Sequence, residues 1–147
     1  MGINNAIVIL MADDDPADVL LTQKALEECR LKNEFRHVSD GQEMLDYLRR
    51  QGRYTDPASS PRPGLILLDL NMPGMDGRAA LTALKADADL RRIPVVILST
   101  SKADEDVARS YDLGANSFVS KPVTFDGLVE VVRTLDTYWF QLVALPR

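Results

Sequence analysis

Four polar groupings in this sequence carry residue types that can handle a phosphoryl group: Asp13-Asp14-Asp15, Asp69, Ser99-Thr100-Ser101, and Lys121 followed by Pro122. A single carboxylate can attack phosphorus and become an aspartyl phosphate. The charge that then develops on the phosphoryl oxygens calls for a metal ion, an ammonium and a hydroxyl. Asp14, Lys121 and Thr100 are of those types, and Asp69 is a single carboxylate following an apolar run. Several carboxylates brought together repel one another unless a cation sits among them. An all-oxygen donor set with positions left for water and phosphate suits magnesium. Each grouping has a plainer use when taken singly. Asp13 to Asp15 could cap a helix, Thr100 and Ser101 could cap another, and Lys121 could be a surface lysine.

What raises them above coincidence is their position. Each follows a short apolar run: residues 6–12, 65–68, 95–98 and, more weakly, 117–119. Runs of this length, apolar on both faces, fit parallel strands covered by helices. A fifth strand is expected at 35–39, where Phe35, His37 and Ser39 alternate with Arg36 and Val38. Helical spacing appears between them, at 17–30, 41–51, 77–86, 104–113 and 125–140. Asp15 followed by Pro16 reads as a helix cap with proline at the first helical position. The stretch 52–64, with Pro57, Pro61 and Pro63, reads as a loop. A βα unit repeated five times predicts one doubly wound α/β domain. In such a sheet ligands bind beyond the carboxyl ends of the strands, near the switch in strand order. The four groupings would therefore converge on one edge.

Composition narrows the classes. The chain has 147 residues, enough for one domain with a real core. Its net charge of -5 argues against nucleic acid as the main partner. Cys29 is the single cysteine, so no internal disulfide is possible. No apolar run reaches membrane-spanning length and no signal peptide is visible, so a cytoplasmic protein is expected.

In order and spacing, Asp13-Asp14, the run Leu65 to Asp69 with Leu70-Asn71-Met72-Pro73-Gly74-Met75-Asp76-Gly77, then Ser99-Thr100-Ser101 and Lys121-Pro122 resemble the receiver domains of bacterial response regulators. The resemblance covers roughly residues 5 to 140. It implies a flavodoxin-like (βα)5 fold with a parallel sheet in the order 2-1-3-4-5. It also implies a receiver domain over residues 1–140, a C-terminal tail at 141–147, and no output domain. The chain is more narrowly similar to the small single-domain regulators of bacterial and cyanobacterial phytochromes. The stretch Gly52-Arg53-Tyr54 and the ending Tyr138-Trp139-Phe140-Gln141-Leu142 are among the residues that carry this.

Residue by residue, the resemblance implies that Asp69 accepts the phosphoryl group with Mg2+ as cofactor. Asp14 and Asp69 would bind the metal directly, Asp13 mainly through water, and Asn71 through its backbone carbonyl. Thr100 would close on the phosphoryl oxygens, Lys121 would pair with them, and Phe118 stands at the place of a switch aromatic. The implied partner is a sensor histidine kinase, with a bacteriophytochrome as the narrower expectation. The chain would then be a phosphoacceptor that signals through protein contacts, its only catalysis being its own phosphorylation and dephosphorylation.

Two further readings complete the expectations. Asp13-x-Asp15 after an apolar strand also resembles the first motif of haloacid-dehalogenase-type phosphatases. That family needs a late acidic pair after its lysine, however, and here Asp126, Glu130 and Asp136 all fall on a predicted helix. The last helix carries a second apolar line, Val131, Leu135, Tyr138, Leu142 and Leu145, at heptad-like spacing. One outer helix cannot bury two lines in its own domain. Either the tail folds back on its own domain or Tyr138, Leu142 and Leu145 form an exposed patch. The resemblance to receivers implies pairing through the last two helices, so a twofold homodimer using that face and the tail is expected.

Overall fold

The computed structural model describes residues 7–28, 33–70, 72, 77–99, 117–120 and 125–135. Five strands, β1 (Ile7–Ala12), β2 (Asn33–Val38), β3 (Leu65–Leu68), β4 (Val95–Ser99) and β5 (Ser117–Ser120), form one sheet in the order β2-β1-β3-β4-β5. Every neighbouring pair is parallel. Four helices are described: α1 (Pro16–Glu27), α2 (Gly41–Arg49), α3 (Gly77–Ala86) and α4 (Phe125–Leu135). The helix expected at 104–113 lies outside the described residues.

Alternation along the strands divides the core in two. Leu10, Ala12, Ile66, Leu68, Val95 and Ile97 face α2 and α3, where Met44, Leu45, Leu48, Ala80, Leu81 and Leu84 close over them. Ile9, Met11, Leu65, Leu67, Val96 and Leu98 face the opposite side and meet Ala25 and Leu26 of α1 and Val129 of α4. Helices α1 and α4 pack against each other on that side. Val131, which the sequence assigns to the dimer line, is half-buried and packs against this second cluster. It is therefore largely engaged within its own domain.

Local chemistry sets the helix ends. The Asp15 side chain accepts from the Ala17 amide at 2.9 Å, with Pro16 in the first turn, as the sequence indicated. Helix α2 opens with two side-chain caps: Asp40 accepts from the Glu43 amide at 2.8 Å, and the Glu43 carboxylate accepts from the Ser39 amide, one residue before the cap, at 2.6 Å. It closes on Arg50 in the left-handed conformation, φ 56°. The stretch expected to be an irregular loop holds two short 3-10 turns, Gly52–Tyr54 and Pro57–Ser59. Among the described residues no helix is long and apolar enough to cross a membrane.

Candidate metal and phosphoryl site at the β1/β3 switch point

Strand order puts the site where it is. From β1 the chain first adds β2 on one side and then β3 on the other, so the carboxyl ends of β1 and β3 lie side by side at the topological switch. Ala12 pairs with Leu68, and the Asp69 amide donates to the Ala12 carbonyl at 3.0 Å. Asp13 and Asp69 therefore leave the sheet as neighbours. Asp14 follows on the turn that leads into α1.

Asp13 is fully buried, Asp69 is 7% exposed and Asp14 is exposed. One carboxylate oxygen of each lies within 4.8 Å of the others. Buried carboxylates at that separation repel strongly in a low-dielectric setting unless a cation joins them. Two ligands on opposite sides of an octahedral magnesium ion, with bonds near 2.1 Å, stand about 4.2 Å apart. The cluster is thus of a size to take a small hard divalent cation with little movement, and the exposed Asp14 leaves the solvent side open.

The backbone holds Asp13 firmly. Its amide donates to the Val38 carbonyl at 3.1 Å, its Oδ1 accepts from the Asp15 amide at 2.9 Å, and its carbonyl oxygen lies 2.8 Å from His37 Nε2. On the other side of the site α3 comes close to the acceptor strand. The Gly77 amide donates to the Leu70 carbonyl at 3.0 Å, and a Cβ built at Gly77 would sit 2.2 Å from the Asp69 carbonyl oxygen. Only glycine fits there. Gly77 ends the motif that follows Asp69, but the need for glycine there shows only in the packing of α3 on the acceptor strand.

Of the expected site residues, the structure brings Asp13, Asp14 and Asp69 together. Asn71, Thr100 and Lys121 lie outside the described residues. Phe118 is in β5, paired with Ile97 of β4. Ser99, the residue before Thr100, ends β4 and pairs with Ser120, the residue before Lys121. Those two strand ends are thus adjacent on the same edge of the sheet.

Comparison with known proteins agrees with this geometry. The chain matches the response regulator receiver domain over residues 9–133, and it belongs to that family. It is 40% identical to response regulator Rcp1 of Synechocystis sp. over 95% of this chain and 92% of that protein. The manganese-bound crystal structure of Rcp1 superposes with a TM-score of 0.87 at 40% identity, covering 96% of this chain and 99% of that one. The phosphorylated cyanobacterial phytochrome response regulator RcpA gives a TM-score of 0.90 at 40% identity, over 97% of this chain and all of that one. The bacteriophytochrome response regulator AtBRR gives 0.74 at 41% identity, over 95% and 99%. The protein is a signalling protein with the phosphoacceptor role of a two-component receiver, and its similarity extends to phytochrome response regulators. The dehalogenase-type alternative finds no support in these likenesses.

Proposed function

We propose that Asp69 takes the phosphoryl group, and that Mg2+ is held directly by Asp14, Asp69 and the Asn71 carbonyl, with Asp13 acting mainly through water. The observation that carries this reading is the three-carboxylate cluster at the switch point. A bound magnesium ion would neutralise the clustered charge and stabilise charge on the phosphoryl oxygens. The Asp69 carboxylate oxygen forms the new bond to phosphorus as the bond from phosphorus to the donor's imidazole nitrogen breaks, and the imidazole leaves with the electron pair. Its backbone is fixed for this by the bond to Ala12 and by the close packing of Gly77. Lys121 and Thr100 are assigned to the phosphoryl oxygens, and Thr100 and Phe118 to the switch that reports phosphorylation. The chain then has no turnover chemistry beyond gaining and losing its own phosphoryl group.

The donor is proposed to be a cytoplasmic sensor histidine kinase, and a phytochrome in particular. The support is that RcpA and AtBRR, both described as phytochrome-type regulators, match nearly the whole chain. A homodimer is proposed through the last two helices and the tail, using Leu135, Tyr138, Leu142 and Leu145. Its support is their heptad-like spacing.

Replacement of Asp69 by asparagine tests the acceptor. The amide is neither nucleophilic nor a good ligand for magnesium, so labelling by acetyl phosphate should vanish. Labelling that survives Asp69→Asn and is lost on changing Asp13 or Asp15 would favour phosphatase-like chemistry.

A further inference from the structure

His37 is the only histidine in the chain, and the chemistry proposed above leaves it without a task. Strand β2 runs beside β1 with Met11 opposite His37 and Ala12 opposite Val38. Past the last strand pair, the Asp13 amide still donates to the Val38 carbonyl at 3.1 Å. The Asp13 carbonyl oxygen meets His37 Nε2 at 2.8 Å. A carbonyl oxygen can only accept, so Nε2 carries the proton and donates. Strand β2 therefore grips both polar groups of the Asp13 backbone, one through its own main chain and one through a side chain.

The Asp13 carbonyl belongs to the same rigid peptide plane as the Asp14 amide nitrogen. Fixing that plane fixes the direction in which Asp14 leaves the strand. Asp14 is the carboxylate with most freedom to lose, because it is exposed while Asp13 and Asp69 are buried. Among the described residues the cluster able to hold a metal comprises Asp13, Asp14 and Asp69 without His37. His37 therefore does not act as a ligand there, and its ring is engaged with the turn that presents the ligands.

We propose that His37 is a positioning residue for the metal site: its Nε2–H bond to the Asp13 carbonyl holds the β1–α1 turn in the geometry that brings Asp14 to the cation. The inference rests on the reading of Asp13, Asp14 and Asp69 as the metal cluster. Support from the next layer out commonly changes metal affinity by tenfold or more when it is removed.

The test is magnesium affinity, measured by isothermal titration calorimetry on the full chain, beside urea melts in metal-free buffer. His37→Leu removes the donor. His37→Gln restores an N–H donor at about the reach of Nε2. The expected result is a roughly tenfold loss of magnesium affinity in His37→Leu and recovery to within about threefold of the parent in His37→Gln. A merely structural role would lower metal-free stability and leave magnesium affinity unchanged. Unchanged affinity in His37→Leu, or a glutamine variant as weak as the leucine one, overturns the proposal. Should His37→Leu fail to fold, His37→Asn takes its place, because the shorter amide cannot reach the carbonyl, and the same two outcomes decide. A parent protein that binds no magnesium would overturn the metal cluster itself, and this inference with it. A parent that binds beside an unaffected variant overturns the inference alone.

Discussion

Replacing Gly77 by alanine should push α3 away from the acceptor strand. The added Cβ would lie 2.2 Å from the Asp69 carbonyl oxygen, 2.7 Å from the Leu70 Cα and 3.0 Å from the Asp69 carbonyl carbon. All three are backbone atoms, so none can swing aside as a side-chain tip would. The two segments are also bonded, Gly77 amide to Leu70 carbonyl at 3.0 Å, and any separation weakens that bond. Overpacking of this kind costs about 1–3 kcal/mol, and contact with backbone places it at the upper end. The strained hydrogen bond adds up to about 1 kcal/mol, and the better helix propensity of alanine returns about 1 kcal/mol. A net loss of about 3 kcal/mol is expected, or roughly 6–12 °C in melting temperature for a chain of this size. Urea denaturation followed by circular dichroism in metal-free buffer reads the stability. Acetyl phosphate labelling reads the acceptor, which should slow by about a hundredfold if Asp69 moves by an ångström. A variant as stable as the parent, and labelled as fast, would show that the close approach of α3 to Asp69 is wrong.

Other consequences follow from single groups. In the parent protein, magnesium at about one hundred times its dissociation constant should add about 2.7 kcal/mol of stability. Asp14→Ala should lose that rise in a thermal melt, and an unchanged rise would remove Asp14 from the ligand set. The Tyr47 hydroxyl donates to the Pro61 carbonyl at 2.7 Å, and burial pushes its pKa up to about 12. The fold thus favours the neutral phenol. That contribution is complete below pH 10 and is lost as the pH rises toward 12. Allowing for solvent screening, the loss is on the order of 1 kcal/mol. Urea melts between these limits should show a shallower decline in Tyr47→Phe, and equal slopes would refute this. Changing Tyr138 and Leu142 to glutamate should give a monomer that still takes phosphate on Asp69. Sedimentation finding the parent monomeric at tens of micromolar, phosphorylated or not, would refute the dimer.

The parts of the fold that the sequence showed most clearly are those where periodicity and burial coincide. Strand β3 lies at the expected residues because Leu65 to Leu68 are buried on both faces and so form an unbroken apolar run. Helix α3 also lies at the expected residues, with Leu81 and Leu84 buried within an Ala-rich stretch that favours a helix. Strand β2 begins two residues earlier than its apolar alternation suggests, at Asn33. It is an edge strand whose start is set by backbone pairing to Ile7 and Val8. The loop after α2 hides its order in tertiary contacts. The Glu43 carboxylate takes up both the Arg53 guanidinium and the Tyr54 hydroxyl, and the Tyr54 ring meets Tyr47 edge-on at 5.2 Å. Nothing in residues 52–64 read alone announces those partners. At the site, the acidic residues were visible as the ends of apolar runs. The supports were not: the bond from His37 to Asp13 spans 24 residues, and the approach of Gly77 to Asp69 depends on how α3 folds back on the acceptor strand.

The central claim is that Asp69 carries the phosphoryl group. Borohydride reduces an aspartyl phosphate to homoserine, so it marks the modified residue permanently. The parent protein would be treated with acetyl phosphate and magnesium, reduced, digested and sequenced by mass spectrometry. The account predicts homoserine at residue 69 and intact aspartate at 13, 14 and 15, with no conversion when magnesium is withheld. Homoserine at 13 or 15, or conversion at 69 that is indifferent to magnesium, would contradict it.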